Sequence, residues 1–273
     1  MANFKLVVDA GHGKNTAGRR CKKSLDPKKT REWVLNSRVV EKVLKLLEGY
    51  TGYEVLRVDD PTGKKDISLA KRASAANKFD ANFYLSIHHN AGIKGGKGGG
   101  IEAYISKKAS ESAQAWQKML YASLIDHTGL KGNRSNPLGK YNFYVCKNTK
   151  CPAVLLELGF MDSKTDVPII LSEEYADKCA KAIADVIVQR GNLKKKEQKC
   201  SVTVNVLEKG SKGEQVKVVQ SLLIGYGYSC GKSGADGSFG GDTVDAINEY
   251  KEDHNLDKNG KCDKETWDSL LGN

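Results

Sequence analysis

Apolar positions along this chain recur at two periods, and the two periods alternate. Residues 4–9 form a short, largely apolar run that stops at Ala10-Gly11-His12-Gly13, as a buried strand entering a loop would. The stretch 14–29 is polar and basic, with Pro27 near its end, and Thr30 or a neighbour is placed to cap the helix that follows. In that helix Val40, Val43, Leu44 and Leu47 fall at i, i+3, i+4 and i+7, which gives one core-facing stripe. Further strands are predicted over 54–58, 82–88, 101–105 and 153–158, and helices over 67–78, 110–127 and 173–189. The glycine-rich stretch 92–100 reads as a loop. Strands alternating with helices indicate an α/β domain built on one sheet.

The pattern changes after residue 190. Residues 191–203 are polar and charged, and Leu193 is the one large apolar residue between 191 and 201, so they read as a linker. Three helical patterns follow, over 213–226, 240–254 and 263–271, in a segment of about seventy residues whose core must be small. The predicted organisation is a domain over 1–190, a linker over 191–203 and a second domain over 204–273.

Composition and charge sharpen this division. The 273 residues are 39 % hydrophobic and 28 % charged, which is ordinary for a folded protein. No run of 18 apolar residues exists, and the first residues are too short and too soon charged for a signal peptide. The seven cysteines stand at 21, 146, 151, 179, 200, 230 and 262, an odd number with no C-x-x-C pair. They read as free thiols of a protein made in a reducing compartment. Residues 205–273 hold 8 Lys+Arg against 12 Asp+Glu, whereas the preceding residues hold 36 against 21. The first part, at +15, suits a polyanion, whether nucleic acid, an acidic membrane or a bacterial wall with anionic polymers, and lysines that only solvate the surface are the plainer reading. No nucleic-acid reader motif accompanies the charge, so nucleic acid is not expected as a partner.

Candidate chemistry sits at the ends of the predicted strands. His12 follows the first, His88 ends the third in Ser86-Ile87-His88-His89-Asn90, and Glu157 interrupts the apolar run Val154–Phe160. In open α/β sheets ligands gather at strand ends. A lone histidine there is most often structural. Glu157 is harder to explain so, because a buried carboxylate needs a cation, a metal or several hydrogen bonds. Glu32 opens a helix, where a carboxylate also suits the helix dipole. Two histidines and a glutamate make the ligand set of a catalytic zinc site, and a second glutamate beside it would accept a proton from water. Alternation puts Tyr84, Ser86, His88 and Asn90 on the more polar face of their strand, which favours His88 over His89 as the site residue.

Four motifs carry a resemblance: Val8-Asp9-Ala10-Gly11-His12-Gly13, Glu32-x-x-x-Asn36, Ser86-Ile87-His88-x-Asn90 and Ala153-Val-Leu-Leu-Glu157-Leu-Gly-Phe160. Their order and spacing over residues 1–190 resemble the zinc-dependent N-acetylmuramoyl-L-alanine amidases of the type found in autolysins and phage endolysins. The resemblance implies a twisted, mostly parallel sheet flanked by helices, Zn2+ held by His12, Glu32 and His88, and Glu157 as the catalytic glutamate. Asn90 is taken as a substrate-binding residue. Lys14, Ser37 and His89 depart from the family's pattern. A second set, from Leu207-x-x-Gly210-x-x-Gly213 through Gln220, Asp236-Gly237-x-Phe239-Gly240 and Thr266-Trp267, resembles the small three-helix peptidoglycan-binding domain, with Tyr250-Lys251 and Cys262 as departures.

The expected function is therefore that of a cell-wall hydrolase. It would cut the amide between N-acetylmuramic acid and L-alanine of peptidoglycan, with the second domain as a tether. The alternatives are a zinc peptidase acting within the stem peptide or cross-bridge, and a non-catalytic wall-binding protein. A protein made in the cytoplasm without a signal peptide would reach the wall by lysis or through a pore, as a phage or prophage endolysin or a mother-cell autolysin does. Oligomeric state is not legible in the sequence.

Overall fold

A computed structural model of the chain describes residues 3–196 and 204–272. The chain divides into two compact units, residues 1–197 and 198–273.

In the first unit the elements run β1 (Phe4–Ala10), α1 (Glu32–Leu47), β2 (Tyr50–Thr51), β3 (Tyr53–Arg57), α2 (Leu69–Phe79), β4 (Phe83–Asn90), β5 (Ile101–Ile105), α3 (Glu111–Thr128), β6 (Leu138–Lys140), α4 (Tyr144–Asn148), β7 (Ala153–Phe160), α5 (Val167–Ile170), α6 (Glu173–Gly191) and β8 (Lys194–Lys195). Six strands form one sheet in the order β3-β1-β4-β7-β5-β6. All neighbours are parallel except β5 and β7. This is the one-sheet α/β domain that the alternation predicted and the mostly parallel sheet that the resemblance implied.

Strand periodicity divides the core. Leu6, Val8, Phe83, Leu85, Val154 and Leu156 pack with α1, α3 and α6. The residues between them, Val7, Tyr84, Ala153 and Leu155, pack with Ala76 of α2 and Val145 of α4. The first layer is thick, and Phe83 stacks on Trp116 there with ring centroids 3.8 Å apart. On the second face α2 has 11 residues and α4 only 5, so the ends of the strands are left open. The chain leaves β1 toward β3 on one side and leaves β4 toward β7 and β5 on the other, so a crevice opens between the carboxyl ends of β1 and β4.

Two local expectations change. The helix α1 is preceded by Arg31, which makes no side-chain cap. Thr30 serves the loop instead: its N–H donates to Asp26 Oδ2 (2.6 Å) and its carbonyl accepts from Cys21 N (2.8 Å). Residues 191–195, expected in the linker, belong to the first unit. Asn192 ends α6 in the left-handed region, Leu193 is buried, and β8 pairs antiparallel with β2. The part of the predicted linker at 197–203 lies outside the described residues. Cys21, Cys146, Cys179, Cys230 and Cys262 are buried free thiols and Cys151 is partly buried, while Cys200 lies outside the described residues. Burial pushes the Cys21 and Cys179 thiols up to about 12.

The second unit holds α7 (Glu214–Gly225), α8 (Gly241–Asp253) and α9 (Lys264–Leu271) around Val216, Val219, Leu223, Phe239, Ile247, Tyr250, Cys262, Trp267 and Leu270. Two buried polar side chains fix its loops. Gln220 Nε2 lies within hydrogen-bond distance of Asp236 Oδ1, Ser238 O and Thr243 Oγ1, and its Oε1 accepts from Gly237 N. Lys251 donates to Asn259 Oδ1 (2.6 Å) and Asp263 Oδ2 (3.1 Å), which accounts for a lysine inside the core. Cys262 is fully buried and pairs its backbone with Leu207.

Candidate metal centre

Three of the residues picked out at the strand ends converge in space. His12 lies just past β1, Glu32 at the first turn of α1 and His88 near the end of β4. His88 Nδ1 is 3.0 Å from Glu32 Oε1, and His12 Nε2 is 3.4 Å from Glu32 Oε2. The imidazoles meet edge to face, 5.0 Å between centroids. One ligand atom from each of the three lies within 4.8 Å of the others. Glu32 is buried, whereas the two histidines are partly open to the cleft.

Each side chain is brought there for a local reason. Gly11 admits the His88 ring, because a Cβ at that position would stand 2.1 Å from its Cε1. His12 adopts φ +68°, a conformation that costs a non-glycine residue on the order of 1–3 kcal/mol. A buried polar network holds it. Arg72 of α2, 1 % exposed, donates to His12 O (3.0 Å), Ala10 O (2.9 Å) and Ile67 O (2.7 Å), and pairs with Asp9 and Asp66. Asp9 also accepts from Tyr84 Oη and Ser86 Oγ, each at 2.9 Å. Asp59 accepts from Ala10 N (3.1 Å) and from Arg57, whose Nη2 also donates to Ser37 Oγ. The departures Ser37 and Lys14 thus have partners: Lys14 lies over the Trp33 ring at 4.8 Å. His89, read as an ordinary residue, is buried behind the site. Burial pushes its imidazole down to about 3. Being neutral, it donates from Nδ1 to Asn36 Oδ1 (2.8 Å), and Asn36 Nδ2 donates to Gly11 O (3.1 Å).

The charges of the cluster act on one another. Burial works against the Glu32 charge, but the hydrogen bonds and charges of His12 and His88 outweigh it and hold its pKa below the usual carboxylate range. Burial likewise opposes the His88 charge, and Glu32 outweighs it, raising the His88 pKa. Glu157 aligns with His88 across the parallel β4–β7 pair. Burial pushes its carboxyl up to about 8, His88 works against the rise, and Glu32 and Glu102 add to it. Glu32 Oε2 and Glu157 Oε2 are buried without a hydrogen-bond partner among the described residues. Two imidazole nitrogens and one carboxylate oxygen within 4.8 Å of one another make the donor set of a catalytic zinc site. Glu157 stands outside this trio, on the same cavity wall as His88.

The cavity over these residues has a volume of about 480 Å³ and includes Arg19, Leu69, Phe143 and Tyr144. Asn90 does not line it. Across an irregularity in register after His88, its Nδ2 donates instead to Glu102 Oε2 (2.8 Å). Sequence reasoning passed over Arg72, Asp59, Glu102 and Arg134. The signal available for Arg72 was the one used for Glu157, a charge on an apolar stripe, here between Leu69 and the buried Ala73 and Ala76.

Comparison with known proteins agrees with this geometry. Residues 6–189 match the profile of the N-acetylmuramoyl-L-alanine amidase family, and residues 212–270 that of a peptidoglycan binding domain. The chain is 28 % identical over 193 residues to N-acetylmuramoyl-L-alanine amidase CwlM of Bacillus licheniformis, covering 70 % of each. It is 31 % identical over 193 residues to the endolysin of Bacillus phage SPP1, covering 70 % of this chain and 68 % of that one. The crystal structure of an N-acetylmuramoyl-L-alanine amidase from Clostridium difficile 630 superposes with a TM-score of 0.63 at 26 % identity, covering 70 % of this chain and 98 % of the other.

Proposed function

Since the chain belongs to the N-acetylmuramoyl-L-alanine amidase family, we propose that His12, Glu32 and His88 hold a zinc ion and that Glu157 moves the proton while the amide between N-acetylmuramic acid and L-alanine is hydrolysed. The observation that carries this is the convergence of two imidazoles and one buried carboxylate, whose Oε2 has no hydrogen-bond partner among the described residues, at the mouth of a cleft, with a second buried glutamate beside them. Zinc held there would supply Lewis acidity toward a water and toward the amide carbonyl.

The protein's own groups do the rest. Glu32, kept ionised between the imidazoles, offsets the metal's charge and fixes His12 and His88. Glu157 takes a proton from the attacking water as its oxygen bonds to the carbonyl carbon. The same carboxyl then delivers that proton to the nitrogen as the C–N bond breaks, releasing an amine. A carboxyl whose burial raises its pKa toward neutrality is suited to both transfers. The cavity walls exclude bulk water around it.

The second unit is proposed to tether the enzyme to peptidoglycan, in line with the profile that residues 212–270 match. The likeness to the SPP1 endolysin supports a phage or prophage lytic enzyme that meets the wall once the membrane is breached. Among the described residues no helix is long and apolar enough to cross a membrane.

The test is Glu157→Gln. We expect a folded protein that still binds one zinc per chain and whose kcat on peptidoglycan falls about 10²–10⁴-fold. Near wild-type turnover by that variant removes Glu157 from the chemistry. Loss of the zinc together with the activity makes it a ligand instead.

A further inference from the structure

A second cavity lies beside Glu157, on the neighbouring strand. We propose that a second, polar pocket built on Glu102 and Arg134 binds a carboxylate of the substrate's peptide, close to the scissile amide, and thereby sets which stem peptides are preferred. The inference rests on the amidase reading above and adds a subsite to it.

Glu102 stands directly opposite Glu157 in the antiparallel β5–β7 pair, so both side chains rise from one face of the sheet. Beyond it lies a cavity of about 450 Å³ that includes Tyr104, Asn133 and Arg134. The two cavities are neighbours, since Tyr104 packs edge to face on Phe143, 5.3 Å between centroids, and Phe143 lines the first cavity.

The charged acceptor of this pocket is already used. Glu102, 2 % exposed, accepts from Arg134 Nε at its Oε1 (3.0 Å) and from Asn90 Nδ2 at its Oε2 (2.8 Å). Asn133 Oδ1 accepts from Gly99 N (2.9 Å). The Nη edge of Arg134 is the cation left to meet a ligand, with the Asn133 amide donor beside it. The Arg134 side chain is 44 % exposed, yet its guanidinium is held on two sides, by Glu102 at Nε and by the Phe160 ring, 5.4 Å from its carbon. A fork fixed in this way loses little rotamer freedom on binding and matches a carboxylate with two parallel hydrogen bonds.

The position selects the peptide. One strand spacing of about 4.8 Å plus the length of an ion pair puts the Arg134 fork on the order of 10 Å from Glu157, the reach of two to three extended residues. In this substrate the glycan carries no free carboxylate once its lactyl group is joined to the peptide, whereas the peptide does. Asn90, placed in the substrate site by sequence, acts here through Glu102 as a positioning residue.

The experiment uses the zinc-loaded full chain and two soluble glycan-peptide substrates that differ only in having a carboxylate or a carboxamide on the second stem residue. We expect wild type to favour the carboxylate at least about tenfold in kcat/KM. Arg134→Gln should bring that ratio close to one by raising KM for the carboxylate substrate, and Arg134→Lys should keep part of it. Binding of the two substrates to Glu157→Gln, measured by calorimetry, should show the same preference without turnover. Equal use of both substrates by wild type, or a preference that survives Arg134→Gln, overturns the subsite while leaving the amidase reading intact. Failure of wild type to release an amine from either substrate overturns the amidase reading and the subsite with it.

Discussion

At the scale of single residues, the site depends on positions that carry no chemistry of their own. Gly11 is the sharpest case, since a methyl group there would enter the His88 ring. Gly11→Ala is expected to keep the fold and to weaken zinc binding about 10–100-fold, as displacement of a supporting group does. Competition with a chelator measures this directly, and unchanged affinity would show that the His88 ring has room to move. The residues that sequence made legible were those whose chemistry conflicts with their surroundings. Glu157 stood out as a carboxylate in an apolar strand, and strand alternation separated His88 from His89. What sequence could not show was pairing: that Arg72 reaches the His12 carbonyl across 60 residues, or that Asn90 faces Glu102. Those contacts depend on which strands become neighbours. His89 illustrates the same limit, because its value lies in a hydrogen bond to Asn36 on a different element.

At the scale of elements, long periodic segments were legible and short ones were not. The stripe in α1 and the buried runs of β4 and β7 follow from hydrophobic period alone. By contrast β6 with 3 residues, α4 with 5 and the β2–β8 pair are set by tertiary contacts rather than by local pattern. The cap of α1 was misplaced because Thr30 is recruited by Asp26. In the second unit the start of α9 makes a prediction about acid. Burial opposes the Asp263 charge, but hydrogen bonds from Asn259, Thr266 and Lys251 outweigh it and hold its pKa below the ordinary 3.8. A depressed carboxylate pKa contributes stability above the unfolded value and loses it as pH falls through the folded value. The melting temperature of this unit should therefore be flat near neutrality and drop below pH 3.8. Asp263→Asn should lower it at pH 7 and weaken the acid dependence. Calorimetry of the full chain from pH 7 to pH 2 checks this, and parallel curves for the two proteins would contradict it.

At the scale of the whole molecule, charge and architecture divide the labour. The first part of the chain is strongly basic and residues 205–273 are acidic. The proposed attachment through the second unit would raise the local concentration of enzyme at an insoluble substrate without a new catalytic contact. A chain of residues 1–196 is expected to lose about tenfold or more on intact walls and little on a soluble muropeptide. Its remaining wall binding should fall as salt shortens the screening length. Equal activity of the short and full chains on walls would show that the tether is idle. Above these details stands the bond that is cut, and one measurement reads it directly. Purified peptidoglycan is digested with the zinc-loaded protein, and the soluble products are identified by mass spectrometry. We expect intact stem peptides bearing a new free amine on L-alanine, together with glycan chains stripped of peptide. New amines elsewhere in the peptide would contradict the amidase reading and make the same metal centre that of a peptidase.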